Sequence, residues 1–191
     1  MDWVDGEVMP KWFPDDQFIT DLAEALVYVH DLQPNGRKDT NMFKIADSTD
    51  LRFQKNWFTC EALAEFDKIR NDLTDCVVLH GDLWNENIII ENGKFKALID
   101  WEHSQIGDPH WEFRMIRRFI GWDGLEKLLF RYNDASGRML KFSHVKTLDK
   151  LALCHQHNFR VKRNDSRQHL FKRYIKEWPK CISEYIKDQR V

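Results

Sequence analysis

The chain has 191 residues and a formal net charge of −2 at pH 7, a length that allows a sizeable hydrophobic core and favours one domain over two. Hydrophobic residues make up 42% of it, which excludes a disordered protein even though 31% of the residues are charged. No run approaches the roughly 20 consecutive apolar residues of a membrane span, and the first residues are acidic rather than basic as in a signal peptide. We therefore expect a folded, soluble, cytoplasmic protein that does not bind membranes.

The cysteines are scattered along the chain at Cys60, Cys76, Cys154 and Cys181. They form no Cys-x-x-Cys pair and are too few for a disulfide framework in a chain of this size. We expect them to be buried free thiols.

The N-terminal part shows two helical patterns separated by a long connection. Apolar residues recur at three- and four-residue spacing in 16–31, which predicts an amphipathic helix. A turn signal at 34–36 then opens a connection over 32–58, with room for one short helix. A second helical pattern covers 59–73, where Thr59 stands in position to cap the helix.

The pattern then changes from helical to extended. The apolar run 76–79 fits a buried strand, and the runs 88–90 and 95–99 are also rich in strand-forming residues. Between these two runs stands Asn92-Gly93, a dipeptide that tight hairpin turns favour because both residues tolerate a positive φ. The sequence therefore predicts a β-hairpin after a short buried strand.

Helical patterns dominate the rest of the chain, and they predict helices over 109–120, 123–134, 144–158 and 167–187. Pro179 should kink or restart the last of these helices.

The residues that carry chemistry lie at the ends of the predicted strands. Asp82 follows the strand 76–79, Asn87 comes five residues later, and Asp100 stands just beyond the hairpin. Phosphoryl transfer from ATP needs a carboxylate that orients the acceptor hydroxyl and takes its proton, and two oxygen ligands that hold Mg²⁺ against the phosphates. The spacing of the three residues matches the kinase catalytic loop and its second metal ligand.

This segment resembles the aminoglycoside phosphotransferase and choline-kinase-like family, whose catalytic segment reads His-Gly-Asp-Leu followed by four residues ending in Asn. The resemblance implies that Asp82 is the catalytic base, that Asn87 and Asp100 bind Mg²⁺ together with the phosphates of ATP, and that His80 buttresses the loop. The later motif at 107–109, Gly-Asp-Pro, resembles the segment that opens the next helix in this family.

The sequence departs from the family pattern within these motifs. Asn85-Glu86 stands where many members have Pro-Gly, which changes the loop but leaves its functional atoms in place. Glu112 stands where Asp is usual after Gly-Asp-Pro, a change that keeps the charge and lengthens the reach of the side chain.

A larger departure concerns the N-terminal lobe that covers the nucleotide in such kinases. Only 79 residues precede His80, and the dispersed glycines of the chain form no Gly-x-Gly-x-x-Gly loop. We therefore expect the N-lobe to be absent, with 1–6 forming the strand and hinge that would lead to it. Such a chain should bind ATP weakly and should either self-associate or need a partner that supplies the N-lobe.

The expected fold is α+β, the mostly helical C-terminal lobe of a protein-kinase-like fold in which a small β-hairpin carries the metal ligands. The domain is expected to span 1–191, with the catalytic and metal motifs in 78–112. The function implied by the resemblance is ATP-dependent phosphoryl transfer to a hydroxyl of a small molecule, and an aminoglycoside, choline, a sugar and other metabolites remain open as acceptors. The alternative is a catalytically inactive kinase-like fragment or binding module.

Several residues near the motifs have competing interpretations. Glu102 either adds a second carboxylate near the metal or points to solvent. The three tryptophans of this region are better explained as core residues than as ligand contacts; they are Trp84, Trp101 and Trp111.

Two features of the C-terminal region have ordinary explanations. His155 and His157 alternate on a helix and so cannot share a metal, and we interpret both as surface or packing residues. The basic run 160–163 fits a solvated helix face, since no nucleic-acid-binding motif accompanies it.

Overall fold

The structure, a computed structural model, describes residues 4–10, 15–32, 57–166 and 169. Within these ranges helices and strands are mixed, as predicted: β1 (Glu7–Val8), α1 (Asp16–His30), α2 (Trp57–Ile69), β2 (Val77–Leu79), β3 (Ile88–Glu91), β4 (Lys94–Leu98), β5 (Gln105–Gly107), α3 (Arg117–Ser136) and α4 (Phe142–Lys162). Short 3₁₀ helices lie at Arg70–Asp72, Asn85–Asn87, Trp101–His103 and Pro109–Arg114. In the part of the chain described, no helix combines the length and apolar character needed to cross a membrane. The predictions for 32–58 and 167–187 fall almost entirely outside the described residues.

Helix α1 forms where the sequence predicts it. Asp15 caps its N-terminus, because the side chain accepts a hydrogen bond from the Phe18 backbone N–H at 2.8 Å. Its apolar face is buried and packs mainly against α3. The helix ends at His30, whose side chain is also buried and contacts Glu112 and Tyr132.

The predicted hairpin is confirmed. Strands β3 and β4 pair antiparallel, and Asn92 and Gly93 in the turn have φ angles of 52° and 77°, as the dipeptide predicts. Strand β1 adds to the other side of β3, so the sheet order is β1-β3-β4. Residues 4–6, expected to belong to a strand and hinge, are not in a strand; the strand lies at Glu7–Val8 and pairs with β3. Residues 1–3 lie outside the described residues.

A second, two-stranded sheet was not predicted. Strand β5 pairs antiparallel with β2, which places Gly107 opposite Val77 and Gln105 opposite Leu79. Three residues are too few to show a strand period in sequence. This pairing brings the Gly-Asp-Pro motif beside the strand that leads into His80.

Two hydrophobic clusters form the core of the described residues. One joins α1, β3 and α3, and the other joins α2, β2 and α4. Leu79 and Trp111 belong to the second cluster, whereas Leu83 and Phe113 belong to the first. The His80–Asp82 loop and Glu112 therefore both lie where the chain passes from one cluster to the other.

The predicted helix over 109–120 is wrong in its first half. Every side chain from Pro109 to Arg114 is buried, so this segment has no solvent face and forms a 3₁₀ helix instead of an amphipathic α-helix. Helix α3 begins at Arg117 and is broken at Gly121, where φ is 76°. The predicted helix over 123–134 is its second part, and that over 144–158 is α4.

Two smaller predictions also need correction. Helix α2 begins at Trp57, so Thr59 lies inside it and does not cap it. Cys154 is buried as expected, but Cys60 and Cys76 are exposed, since Cys60 lies on the outer face of α2 and Cys76 precedes β2. Cys181 lies outside the described residues.

A buried ion pair joins α3 to α4. Arg117 donates from Nε and Nη2 to Oδ2 of Asp149, at 2.8 and 2.5 Å, and both side chains are buried. Such a pair is costly to break on one side, because the buried charge of Asp149 would lose its shortest described contacts and keep the longer one to Arg118, at 3.8 Å.

We predict that Arg117→Met lowers the free energy of unfolding by about 3–5 kcal/mol. Lys127→Met is the matched control, since Lys127 pairs with Asp16 at the surface and its loss should cost at most ~1 kcal/mol. Urea unfolding of both variants is the measurement. Equal stabilities of the two variants would contradict the prediction.

Candidate active site

The loop at His80–Asp82 follows β2 and makes a sharp turn at Gly81. Gly81 has a φ of 82°, and a Cβ atom there would lie 2.1 Å from the carbonyl oxygen of His103. Both the backbone conformation and the close approach exclude a side chain. Glycine therefore allows the loop to pass beneath the 3₁₀ helix Trp101–His103.

His80 ties this loop to the end of the hairpin. Its ring Nε2 lies 2.8 Å from the carbonyl oxygen of Ile99, and its Nδ1 lies 3.3 Å from the backbone nitrogen of Asp82. A ring with its hydrogen on Nε2 satisfies both contacts, since it donates to Ile99 and accepts from Asp82. This geometry agrees with the buttressing role that the resemblance implies for His80.

Glu112 holds the same loop from beneath. Its Oε2 accepts from the His80 backbone N–H at 2.6 Å and its Oε1 accepts from the Gly81 backbone N–H at 3.1 Å. The carboxylate is fully buried. Because both oxygens are used, the residue fixes the position and the orientation of the two residues that precede Asp82.

The surroundings of Glu112 favour its ionised form. Burial by itself would raise the pKa of this carboxyl, but the contact with His30, whose Nε2 lies 3.7 Å from Oε2, and the positive charge of Arg114 outweigh burial. The pKa of Glu112 is therefore below its ordinary value. Two backbone N–H donors favour the same charged state.

Two further buried side chains support this arrangement. The Nδ1 of His30 lies 2.6 Å from the hydroxyl of Tyr132 in α3, which orients the ring. Arg114 donates from Nη2 to the Gly81 carbonyl at 2.5 Å and from Nη1 to the Trp111 carbonyl at 2.7 Å. Gly81 is thus held at both its N–H and its carbonyl group.

Asn87 connects the loop to the hairpin. Its side-chain N–H₂ donates to the backbone carbonyl and to Oδ2 of Asp82, both at 3.1 Å. Its own backbone carbonyl accepts from the Ile99 N–H at 3.0 Å. These contacts use the amide nitrogen and leave the side-chain Oδ1 of Asn87 available as an oxygen ligand.

Asp100 follows Ile99 directly and therefore leaves the hairpin beside Asn87. It adopts a left-handed backbone conformation with φ 62° and ψ 67°, which is unusual for a residue other than glycine or asparagine, and its side chain is exposed. At the open end of the hairpin, Asn87 therefore lies just before β3 and Asp100 lies two residues after β4.

The structure distinguishes the competing interpretations of Glu102 and of the three tryptophans near the motifs. The side chain of Glu102 is 70% exposed and lies against the exposed His103, as the solvent interpretation predicted. Trp84 packs on Phe119 in the core, and Trp111 is buried. Trp101 is not a core residue, because it is 38% exposed and covers the His80 ring edge-on.

Asp82 faces a cavity of about 230 Å³. Its walls come from the His80–Asp82 loop, the 3₁₀ helix Pro109–Arg114 and one face of α4, and they include Trp111, Arg114 and His155. His155, expected to be a surface or packing residue, thus borders the cavity.

Sequence reasoning missed His30, Arg114 and Tyr132. Each stands alone within an otherwise ordinary helical pattern, and their contacts join residues far apart in the chain, as in the separation of 102 residues between His30 and Tyr132. The one available signal was the charged pair Glu112 and Arg114 between bulky apolar residues.

Comparison with known proteins gives a consistent family. The model of the phosphotransferase enzyme family, APH, matches residues 1–153. Over 63 residues the chain is 33% identical to the uncharacterized protein YcbJ of Bacillus subtilis (strain 168), a match that covers 32% of this chain and 21% of that protein.

Solved structures share the fold. A macrolide 2'-phosphotransferase type I is similar with a TM-score of 0.66 and 22% identity, over 90% of this chain and 64% of that one. The GDP and kanamycin complex of APH(2")-IIia is similar with a TM-score of 0.71 and 13% identity, over 99% of this chain and 70% of that one. The chain therefore spans about two thirds of the length of these structures.

We predict that Glu112→Gln loosens the His80–Asp82 loop. A glutamine has only one acceptor oxygen, so its N–H₂ group would face a backbone N–H, and the variant should lose roughly 1–3 kcal/mol of stability. Amide hydrogen exchange should show lost protection at His80 and Gly81, while α1 residues such as Leu22 stay protected.

The pH dependence of the stability lost in Glu112→Gln provides the control. Because the folded-state pKa of Glu112 is lowered, its stabilisation is fully present above the ordinary value of 4.5 and is lost as pH falls through the lower folded-state pKa. The stability difference between wild type and Glu112→Gln should therefore be constant near neutral pH and shrink in acid. A difference that grows in acid would contradict the assignment.

Proposed function

Because the chain belongs to the phosphotransferase enzyme family, we propose that it transfers the γ-phosphoryl group of ATP to a hydroxyl group of a small molecule. The observation that carries this proposal is the set of hydrogen bonds that joins Asn87 to Asp82 on one side and to Ile99, the residue before Asp100, on the other. The macrolide 2'-phosphotransferase and APH(2")-IIia are similar to this chain in fold, and they support the reaction class without naming the acceptor.

Asp82 is proposed to act as the base. Its carboxylate borders the cavity, and Asn87 holds Oδ2, which leaves Oδ1 to accept the proton of an acceptor hydroxyl. The acceptor oxygen would then bond to the γ-phosphorus while the bond between the γ-phosphorus and the β,γ-bridging oxygen breaks. Positioning and electrostatics supply most of the catalysis in such transfers.

Asn87 and Asp100 fit a magnesium site. Their amide and carboxylate oxygens are hard ligands of the kind Mg²⁺ prefers, and Mg²⁺ usually takes one or two protein ligands together with phosphate oxygens. Among the residues that the structure describes, no cluster of three His, Cys, Asp or Glu side chains is arranged to hold a metal ion. When bound with the nucleotide, Mg²⁺ would neutralise charge on the phosphates.

Two expectations about the chain as a whole stay predictions. It contains no Gly-x-Gly-x-x-Gly loop, so we expect weak ATP binding unless a partner covers the phosphates. Self-association is expected through an unpaired strand edge, and in the described sheet β1 is an edge strand in which Val8 is exposed.

We predict that Asp82→Asn lowers ATP-dependent turnover by about 10²–10⁴ while the protein stays folded. ADP release in the presence of hydroxyl acceptors is the measurement. The matched control is Asp134→Asn, which removes an exposed carboxylate at the far end of α3. Equal turnover of wild type and Asp82→Asn would exclude the proposed base, whereas nucleotide binding by wild type without any turnover would favour the binding-module alternative.

A second prediction concerns the metal site. Asp100→Ala should abolish the thermal stabilisation that Mg·ATP gives to the wild type, since Asp100 is the charged member of the proposed ligand pair. Glu102→Ala, which removes an exposed carboxylate two residues away, should keep it. The assignment fails if Asp100→Ala responds to Mg·ATP like the wild type, or if Glu102→Ala loses the response instead.

A further inference from the structure

The residues that line the cavity next to Asp82 carry charges unlike those of a site that binds polycations such as polyamines. Among its described lining residues Asp82 is the only carboxylate, whereas Arg114 is cationic and His103 and His155 become cationic when protonated. A binding site for a polycation needs several carboxylates to replace the water around the ammonium groups. The part of the lining that the structure describes lacks them and therefore favours a neutral or anionic compound.

The charge of Arg114 is only partly compensated by the protein. A guanidinium group has five N–H donors, and the two hydrogen bonds of Arg114 both go to uncharged backbone carbonyls. Glu112, Asp82 and Asp149 stabilise its charge from a distance, but burial outweighs them and lowers the pKa of Arg114. Among the described residues no carboxylate forms an ion pair with Arg114, although this residue is only 8% exposed. Its guanidinium instead lies 4.3 Å from the centre of the Trp111 ring. Buried cations are normally paired, so this one is suited to an anion.

A second buried donor belongs to the same wall. Trp111 is 3% exposed, and its indole N–H has no hydrogen-bond partner in the part of the chain described. A buried N–H without a partner carries a desolvation cost that an acceptor atom of a ligand would remove. Trp111 and Arg114 both belong to the cavity wall, and the inference rests on the guanidinium group of Arg114.

We propose that the acceptor of this chain carries an anionic group, a carboxylate or a phosphate, in addition to its hydroxyl, and that Arg114 binds this group. The inference rests on the proposed function, because it takes the cavity at Asp82 as the acceptor site. Arg114 acts as a specificity-determining residue. Its charge also offsets the repulsion between an anionic acceptor and the nucleotide triphosphate.

Four polyols that share a six-carbon chain test the charge preference: gluconate carries a carboxylate, glucitol 6-phosphate a phosphate, glucitol no charge and glucamine an ammonium group. Their dissociation constants are measured by thermal shift on the full chain with Mg²⁺ and a non-hydrolysable ATP analogue. We expect one or both anions to bind at least about tenfold more tightly than glucitol, with glucamine weakest. The two anions distinguish a carboxylate site from a phosphate site.

Variants of Arg114 and of a control arginine test whether Arg114 causes the preference for anions. Arg114→Gln should bind the anions no more tightly than glucitol, and Arg114→Lys should keep part of the preference. Arg131→Gln, which removes an exposed arginine of α3, should keep all of it. Glucamine binding as tightly as the anions to the wild type, no shift with any of the four compounds, or an unchanged preference in Arg114→Gln would each overturn the proposal.

ADP release with the same compounds separates this inference from the proposed function. Tight anion binding without ADP release would contradict the phosphotransferase activity and leave the anion site standing. ADP release with glucitol or glucamine as the best acceptor would support the activity and overturn the anion preference.

Discussion

The described structure depends on one buried carboxylate that holds two consecutive backbone N–H groups. Glu112 accepts from His80 with one oxygen and from Gly81 with the other, at the point where the chain crosses between the two hydrophobic clusters. A carboxylate buried so completely needs neighbours that favour its charged form, and the contact with His30, the charge of Arg114 and the two backbone N–H donors do so. The core and the His80–Asp82 loop are therefore parts of one arrangement.

From this carboxylate a continuous series of short contacts leads to each proposed functional group. Glu112 and Arg114 hold Gly81 from its two sides, and the amide of Asn87 holds the carboxylate of Asp82. The carbonyl of Asn87 then binds the N–H of the residue that precedes Asp100. Rigid placement of this kind suits phosphoryl transfer, in which the protein contributes mainly by positioning.

The sequence predicted the parts of the site that depend on local spacing. The positions of Asp82, Asn87 and Asp100 relative to the hairpin follow from strand period and turn chemistry, and both are visible in a few residues. The contacts of Glu112 with His80, 32 residues away, have no local period and could not be predicted. The same holds for the Arg117–Asp149 pair, and strand β5 was missed because it forms only by pairing with β2.

The central claim is that Asn87, Asp100 and Asp82 surround one metal–nucleotide site. Replacing Mg²⁺ with paramagnetic Mn²⁺ in the presence of an ATP analogue tests it directly, because Mn²⁺ broadens the amide NMR signals of nearby residues. The account predicts the strongest broadening at Asn87 and Asp100, weaker broadening at Asp82, and none at Phe130, an exposed residue of α3. Broadening that is uniform, or that is strongest away from the hairpin end, would contradict the account.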